Sequence, residues 1–280
     1  MIPAAFDYER ASSVDEAISL LQQHGEDAKL LAGGHSLLPL MKLRLARPSV
    51  LVDIGRLEDL SYVRDAGDHV AVGALTRHHD VATSDVLRSQ CGILAAAAGE
   101  VGDPQVRHLG TIGGSVAHGD PASDVPTVLL ALDATLVAKG PGGERAIGAA
   151  DFFTGFFETA LDPDEVLTEI RVPKSNGAGW SYQKFHRRAQ DWAIVGVAAV
   201  LSKSNGGYSN AAIGLTNMSD RPMRASETER LLVESGDVEA ASGAADSGTS
   251  PPSDTFASAE YRQHLVKVLV RRAVEEAASR

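Results

Sequence analysis

Apolar residues along the chain recur with two different periods, and the switches between them mark the elements. Ser13 followed by Glu16 forms a capping box ahead of Val14, Ala17, Ile18, Leu20 and Leu21, whose spacing predicts an amphipathic helix ending near Gly25. Lys29-Leu30-Leu31 is a short apolar run that stops at Gly33-Gly34. Ser49 to Ile54 then reads as a buried strand stopped by Gly55. His69 to Leu75 alternates as a strand does, Thr76 offers a helix cap, and Val86 to Ala98 is rich enough in Leu, Ile and Ala to predict one packed helix. A glycine-punctuated stretch from Gly99 to Ser115 follows.

Val128 to Leu132 reads as helical, and Ala134 to Ala138 pairs with Arg145 to Ile147 across the turn Gly140-Pro141-Gly142-Gly143 as a hairpin. Val166 to Val172 is a strand closed by Pro173, and Lys174 to Gly179 has the composition of a linker. Three strands are predicted beyond it, at Trp180 to Phe185, Ala193 to Leu201 and Tyr208 to Leu215, with Asn205-Gly206-Gly207 as the turn between the last two. Ser226 to Glu234 and Ala259 to Ala278 have helical periodicity, and the Gly, Ser, Ala and Pro stretch between them, Ser235 to Ser258, reads as a mobile loop. The pattern predicts an α+β chain with a smaller C-terminal domain.

Composition narrows the function classes. With 280 residues, 44% of them hydrophobic, the chain can bury a sizeable core in more than one domain. A formal charge of -11 repels phosphate backbones and anionic lipid at long range, which argues against nucleic acid as a partner. No apolar run is long enough to span a bilayer, and the start lacks a basic region followed by an apolar one, so a cytoplasmic protein is expected. Cys91 is the single cysteine, which excludes an internal disulfide, a cysteine-ligated zinc site and an iron-sulfur cluster built by this chain alone.

Two glycine pairs carry the candidate chemistry: Ala32-Gly33-Gly34-His35-Ser36 and Thr111-Ile112-Gly113-Gly114-Ser115. A glycine pair lets the backbone approach a ligand closely and turn its amides toward an anion such as a diphosphate, and a neighbouring hydroxyl adds a donor. Either pair taken alone fits an ordinary tight turn better than an anion site; the occurrence of two shifts the balance without naming a ligand. Neither has the three spaced glycines of the dinucleotide fingerprint, and no phosphate loop of the nucleoside triphosphatase type is present.

The longer strings around these pairs resemble a known family. Leu31 to Lys42, Asp103 to Ser115, Gly119-Asp120-Pro121-Ala122-Ser123-Asp124-Val125-Pro126 and Ile213-Gly214-Leu215-Thr216-Asn217 are similar to segments of the FAD-binding medium subunits of the aerobic carbon monoxide dehydrogenase and xanthine dehydrogenase (molybdenum hydroxylase) family. The resemblance implies a two-part FAD-binding region of the vanillyl-alcohol oxidase (PCMH) type, with residues 1–56 and 57–176 as its subdomains. Residues 177–280 would be a small α+β domain with a three-stranded antiparallel sheet. It further implies that Ala32, Gly33, Gly34, His35 and Ser36 face Thr111, Gly113, Gly114 and Ser115 across the FAD diphosphate, with Val101 and Leu167 also in contact with the cofactor. Asp124 would accept from the ribityl hydroxyls, Lys184 would lie near the flavin ring, and Trp192 would lie beside the isoalloxazine. Ser115 departs from the family pattern, where asparagine is common. The implied partners are a molybdopterin-containing large subunit and a 2Fe-2S small subunit in a dimer of heterotrimers. Any place at the inner face of the cytoplasmic membrane would come through that complex.

Other residues are expected to be structural. His78-His79-Asp80 could suggest a metal, but adjacent histidines after Thr76 fit a solvated first helical turn better. His35 and His118 are expected to hydrogen-bond or pack at the site, Cys91 to be a buried thiol, and Arg187-Arg188 and Arg271-Arg272 to be solvated faces or partner contacts. Asp120 and Asp124 form no evident carboxylate pair. Three functions are thus compared: an electron-transfer subunit, a stand-alone flavin oxidase or dehydrogenase, and a binding module with a degenerate flavin site. Intact glycine pairs argue against the last.

Overall fold

The computed structural model describes residues 2–175, 177–204 and 206–280. Its first part is a parallel three-stranded sheet in which β3 (Val50–Asp53) lies between β1 (Asp7–Arg10) and β2 (Ala28–Leu31). Helix α1 (Val14–His24) buries Ala17, Ile18 and Leu21 against this sheet. The Glu16 amide donates to the Ser13 hydroxyl at 3.1 Å, while the Glu16 carboxylate reaches back to the Ser12 amide at 2.6 Å, one residue earlier than in a regular capping box. Gly25, at φ 56°, ends the helix as predicted. The short helix α2 (Leu37–Lys42) directly follows the first glycine pair.

The second part is an antiparallel sheet in the order β4 (Val63–Asp65), β5 (His69–Gly73), β10 (Val166–Pro173), β6 (Thr135–Gly140) and β7 (Gly143–Gly148). Its apolar face, including Val70, Val72, Leu136, Ile170 and Val172, packs on a layer of helices. These are α3 (His78–Thr83), α4 (Asp85–Gln90), α5 (Gly92–Gly99), α6 (Pro104–Leu109), α7 (Ile112–His118), α8 (Asp124–Ala131) and α9 (Ala149–Phe152). A small hairpin, β8 (Phe153–Gly155) with β9 (Glu158–Thr159), follows α9.

Several expectations are corrected here. Thr76 does not cap a helix, because its hydroxyl both donates to the Tyr62 carbonyl and accepts from the Tyr62 amide; Arg77 stands at the N-cap of α3 instead. The single helix expected over 86–98 is two, α4 and α5, broken at Cys91 with φ -153° and ψ 60°. The stretch from Gly99 to Ser115 holds all of α6 and the start of α7. Much of the linker after Pro173 is tied down, since Lys174 pairs with Asp65 at 2.7 Å and the Ser175 amide bonds the Gln90 carbonyl at 2.8 Å.

In the third part, β11 (Gly179–Phe185), β12 (Val195–Ser204) and β13 (Gly207–Thr216) form the expected antiparallel sheet, and a two-residue strand, β14 (Met223–Arg224), adds a fourth strand at its edge. Of the expected turn between β12 and β13, Asn205 lies outside the described residues. Helices α10 (Ser226–Ser235), α11 (Val238–Gly243) and α12 (Ala259–Ser279) cover this sheet. The segment 235–258 is therefore not a loose loop. Asp237 caps α11, Ala241, Ala245 and Ala257 are buried, and the Ser250 amide bonds the Met218 carbonyl at 2.9 Å.

A seam joins the second and third parts. Strand β13 runs so close to α8 that a Cβ on Gly214 would lie 2.6 Å from the Thr127 carbonyl. The Thr216 hydroxyl donates to that of Thr127 at 2.7 Å, and Asn217, at φ 61°, bonds the Pro121 carbonyl through its amide and the Ala193 carbonyl through its side chain. The string Ile213 to Asn217 thus serves interdomain packing. Replacing Gly214 by valine forces β13 off α8; a loss of roughly 1–3 kcal/mol in urea unfolding is expected, the usual cost of overpacking.

Candidate functional site

Gly33 brings the first glycine loop onto the start of the second segment. A Cβ at Gly33 would run into the carbonyl of Leu109 and the Cα of Gly110, so only glycine allows this contact. Gly34, at φ 73°, turns the chain into α2. Across from it, a Cβ at Gly113 would lie 2.6 Å from both the Cβ and the carbonyl of Ala74, which seats α7 directly on the end of β5. Gly55 holds the base of the first loop, its amide donating to the Asp53 carboxylate at 2.8 Å.

The two glycine pairs differ in form. The first is a true loop, and among the described residues the amides of Gly33, Gly34, His35 and Ser36 find no protein acceptor. The second pair is not a loop but the first turn of α7, capped by the Thr111 hydroxyl. Its amides are engaged: Ile112 with the Thr76 carbonyl, Gly113 with that of Ala74, Gly114 with the Thr111 hydroxyl and Ser115 with the Thr111 carbonyl. What this side offers a ligand is the Ser115 hydroxyl and the uncovered backbone of Gly114, with the Thr111 hydroxyl, buried and already the cap of α7, at the margin of the cleft. Free amides thus stand on one wall and hydroxyls on the other.

Between these walls runs a cleft of about 930 Å³. Ala32, Gly33, Gly34, His35, Ser36, Val101, Thr111, Gly113, Gly114, Ser115, Asp124, Leu167, Lys184 and Trp192 all border it. Val101 is placed by Arg107, whose guanidinium donates to the Val101 carbonyl at 3.0 Å. Leu167 lies on β10 at an irregularity in its pairing with β6. Trp192, on the chain between β11 and β12, is 55% exposed. His118 also borders the cleft, its ring 4.9 Å from that of Phe157, and burial holds its imidazole below the usual range.

At one end the Lys184 ammonium donates to the Asp124 carboxylate at 2.8 Å and to the Glu100 carbonyl at 2.9 Å. The Tyr182 hydroxyl donates to the other Asp124 oxygen at 2.5 Å. The side chains of Lys184 and Asp124 are only 3% and 5% exposed. Burial pushes the Asp124 carboxyl up from its ordinary value, while Lys184 and Tyr182 hold it down. The Tyr182 hydroxyl is itself raised, by burial first and then by Asp124. Sequence reading missed Tyr182, although it sits two residues before Lys184 on the same face of β11.

It also misplaced His78. This side chain is not solvated but buried and borders the cleft beneath Gly110, with its amide donating to the Gly110 carbonyl at 3.0 Å. His79 does lie at the surface side, stacked on His108 with ring centroids 4.0 Å apart. No group of three or more His, Cys, Asp or Glu side chains placed to hold a metal occurs among the described residues. Cys91 is buried and its thiol is pushed up to about 12 by burial. Arg187, Arg188, Arg271 and Arg272 are exposed.

A long cleft with free amides on one wall, hydroxyls on the other and a buried ion pair at its end defines a protein able to hold an extended anionic cofactor. Comparison with known proteins specifies the class. Residues 4–175 match the family model of the FAD binding domain in molybdopterin dehydrogenase, and residues 180–277 match that of the CO dehydrogenase flavoprotein C-terminal domain. The chain is 43% identical to the carbon monoxide dehydrogenase medium chain of Hydrogenophaga pseudoflava, covering 100% of this chain and 99% of that one. It is 38% identical to the glyceraldehyde dehydrogenase medium chain of Sulfolobus acidocaldarius, over 99% of this chain and 100% of that one. The solved structure of the Hydrogenophaga pseudoflava carbon monoxide dehydrogenase superposes with a TM-score of 0.97 over 100% of this chain and 99% of the other. The chain belongs to the family of FAD-binding medium subunits of molybdenum hydroxylases, oxidoreductases that work as multi-subunit complexes. No helix among the described residues is long and apolar enough to cross a membrane.

His78 yields a pH prediction. Burial, then the charges of Arg107 and His35, lower its imidazole from 6.5 to about 4. Between these values the unfolded chain takes up a proton that the folded chain does not, so stability falls as pH falls through the window, by about 1.4 kcal/mol per unit. Urea unfolding from pH 7 to 4.5 should show this slope flattened in His78→Gln relative to the wild type.

Proposed function

We propose that this chain holds FAD in the cleft and works as the electron-transfer subunit of its complex, receiving electrons from an iron-sulfur subunit and delivering them to an external acceptor. The observation that carries this reading is the unbonded row of amides at Gly33, Gly34, His35 and Ser36 opposite the Thr111 and Ser115 hydroxyls. That pairing suits a diphosphate, which needs many donors and little side-chain bulk. FAD, when bound, supplies the redox chemistry. The protein supplies the rest. The backbone of Ala32 to Ser36 and the start of α7 at Thr111, Gly113, Gly114 and Ser115 would grip the diphosphate. Val101 and Leu167 give apolar contact, Asp124 offers a carboxylate to the ribityl hydroxyls, and Lys184 and Trp192 flank the ring.

The single cysteine requires that iron-sulfur clusters come from elsewhere. We therefore assign this chain a 2Fe-2S small subunit and a molybdopterin-containing large subunit as partners, in a dimer of heterotrimers located in the cytoplasm. The division that accompanies this reading has 1–56 and 57–176 as the two flavin-binding subdomains and 177–280 as the C-terminal domain.

The visible spectrum of the purified full chain tests the cofactor: flavin absorption is expected, and a colourless protein that takes up no added FAD would sink the reading. In Gly33→Val the side chain collides with the Leu109 carbonyl and separates the two walls, so FAD occupancy should fall at least about tenfold, more than 1.4 kcal/mol of binding free energy. Oxidation of a substrate by the yellow chain with no metal-containing subunit present would instead make it a stand-alone flavin enzyme.

A further inference from the structure

Tyr182 has no place in the cleft wall, yet its hydroxyl is built into the charge arrangement at the end of the cleft. It donates to Asp124 Oδ1 at 2.5 Å while Lys184 Nζ donates to Asp124 Oδ2 at 2.8 Å. The ring keeps some surface exposed, but the hydroxyl end lies in a tight niche. A Cβ on Gly196 would sit 2.8 Å from Thr216 Oγ1 and 3.2 Å from the Tyr182 hydroxyl, so the absence of a side chain there leaves room for both hydroxyls beside Asp124. The ionisable groups acting on Asp124 are Lys184 and Tyr182 from β11 and Glu100 from the end of α5, the last unfavourably. β12 presents Gly196 and β13 the Thr216 hydroxyl.

We propose that Tyr182 is a positioning residue for electron transfer: by donating to Asp124 it keeps that carboxylate ionised against Lys184, and so limits the positive charge that Lys184 presents to the flavin. The inference rests on the FAD reading above. A buried carboxylate favours its neutral form unless donors stabilise the charge, and among the described residues two side chains donate to it. Without the tyrosine hydroxyl, Asp124 takes up a proton more readily. Lys184 is then uncompensated, and an uncompensated cation near the ring favours the more negative, reduced flavin.

The test uses the full chain with its co-purifying subunits, loaded with FAD, and reads flavin content, thermal unfolding and flavin midpoint potential. Tyr182→Phe removes one oxygen and preserves the ring. It should keep wild-type flavin content and raise the two-electron midpoint potential by about 30 mV, a tenfold shift toward reduced flavin. Asp124→Asn removes the compensating charge outright and should raise the potential at least as far. Adding Tyr182→Phe to Asp124→Asn should change it no further, because the tyrosine acts through the carboxylate. An unchanged or lowered potential in Tyr182→Phe, an additive shift in the double variant, or loss of flavin from Tyr182→Phe would overturn the proposal. A wild-type chain that binds no FAD would instead overturn the cofactor reading, so the two failures are distinguishable.

Discussion

The cleft exists because two backbone segments, far apart in sequence, approach more closely than any side chain would allow. Gly33 sits against Leu109 and Gly110, and Gly113 sits against Ala74. The first contact locks the small parallel sheet to the helical layer of the second part, and the second seats α7 on β5. Together they set the spacing between free amides and hydroxyls. A methyl group at either position removes that spacing, since backbone carbonyls cannot give way as flexible side chains do.

The third part closes the other end by a similar device. Gly214 and Gly196 let β13 and β12 approach α8 and the Tyr182 hydroxyl, and this brings β11 within reach of Asp124. The Lys184–Asp124 pair is therefore both a contact between the second and third parts and a buried ion pair in the lining of the cleft. Such a buried pair is costly to desolvate, and on the proposed reading its value lies in setting opposed charges beside a ring that gains and loses electrons.

Local signals in the sequence were reliable where the deciding interaction was itself local. The Ser13 cap, the Gly25 stop, the Gly140 to Gly143 hairpin and the strands at β10, β11 and β13 form where their periodicity and turn residues place them. Where a residue with a familiar local role departed from it, the cause was a tertiary partner competing for that group. Thr76 gives its hydroxyl to Tyr62 instead of a helix end, and His78 is drawn under Gly110 instead of into solvent. The alanine-rich stretch between α10 and α12 looks featureless because its order comes from docking on the C-terminal core.

By itself the sequence determined the α+β class, the absence of a cluster built by this chain's own cysteines, and, through the strings around its glycine pairs, the family and its cofactor. These depend on residue identity and short-range spacing. Only the tertiary structure decided that one glycine pair is a loop with free amides and the other a helix turn with its amides already bonded. It alone brought Tyr182 to Asp124. Whether an amide is free or a carboxylate is shared depends on which distant group arrives beside it, and no short-range pattern encodes that.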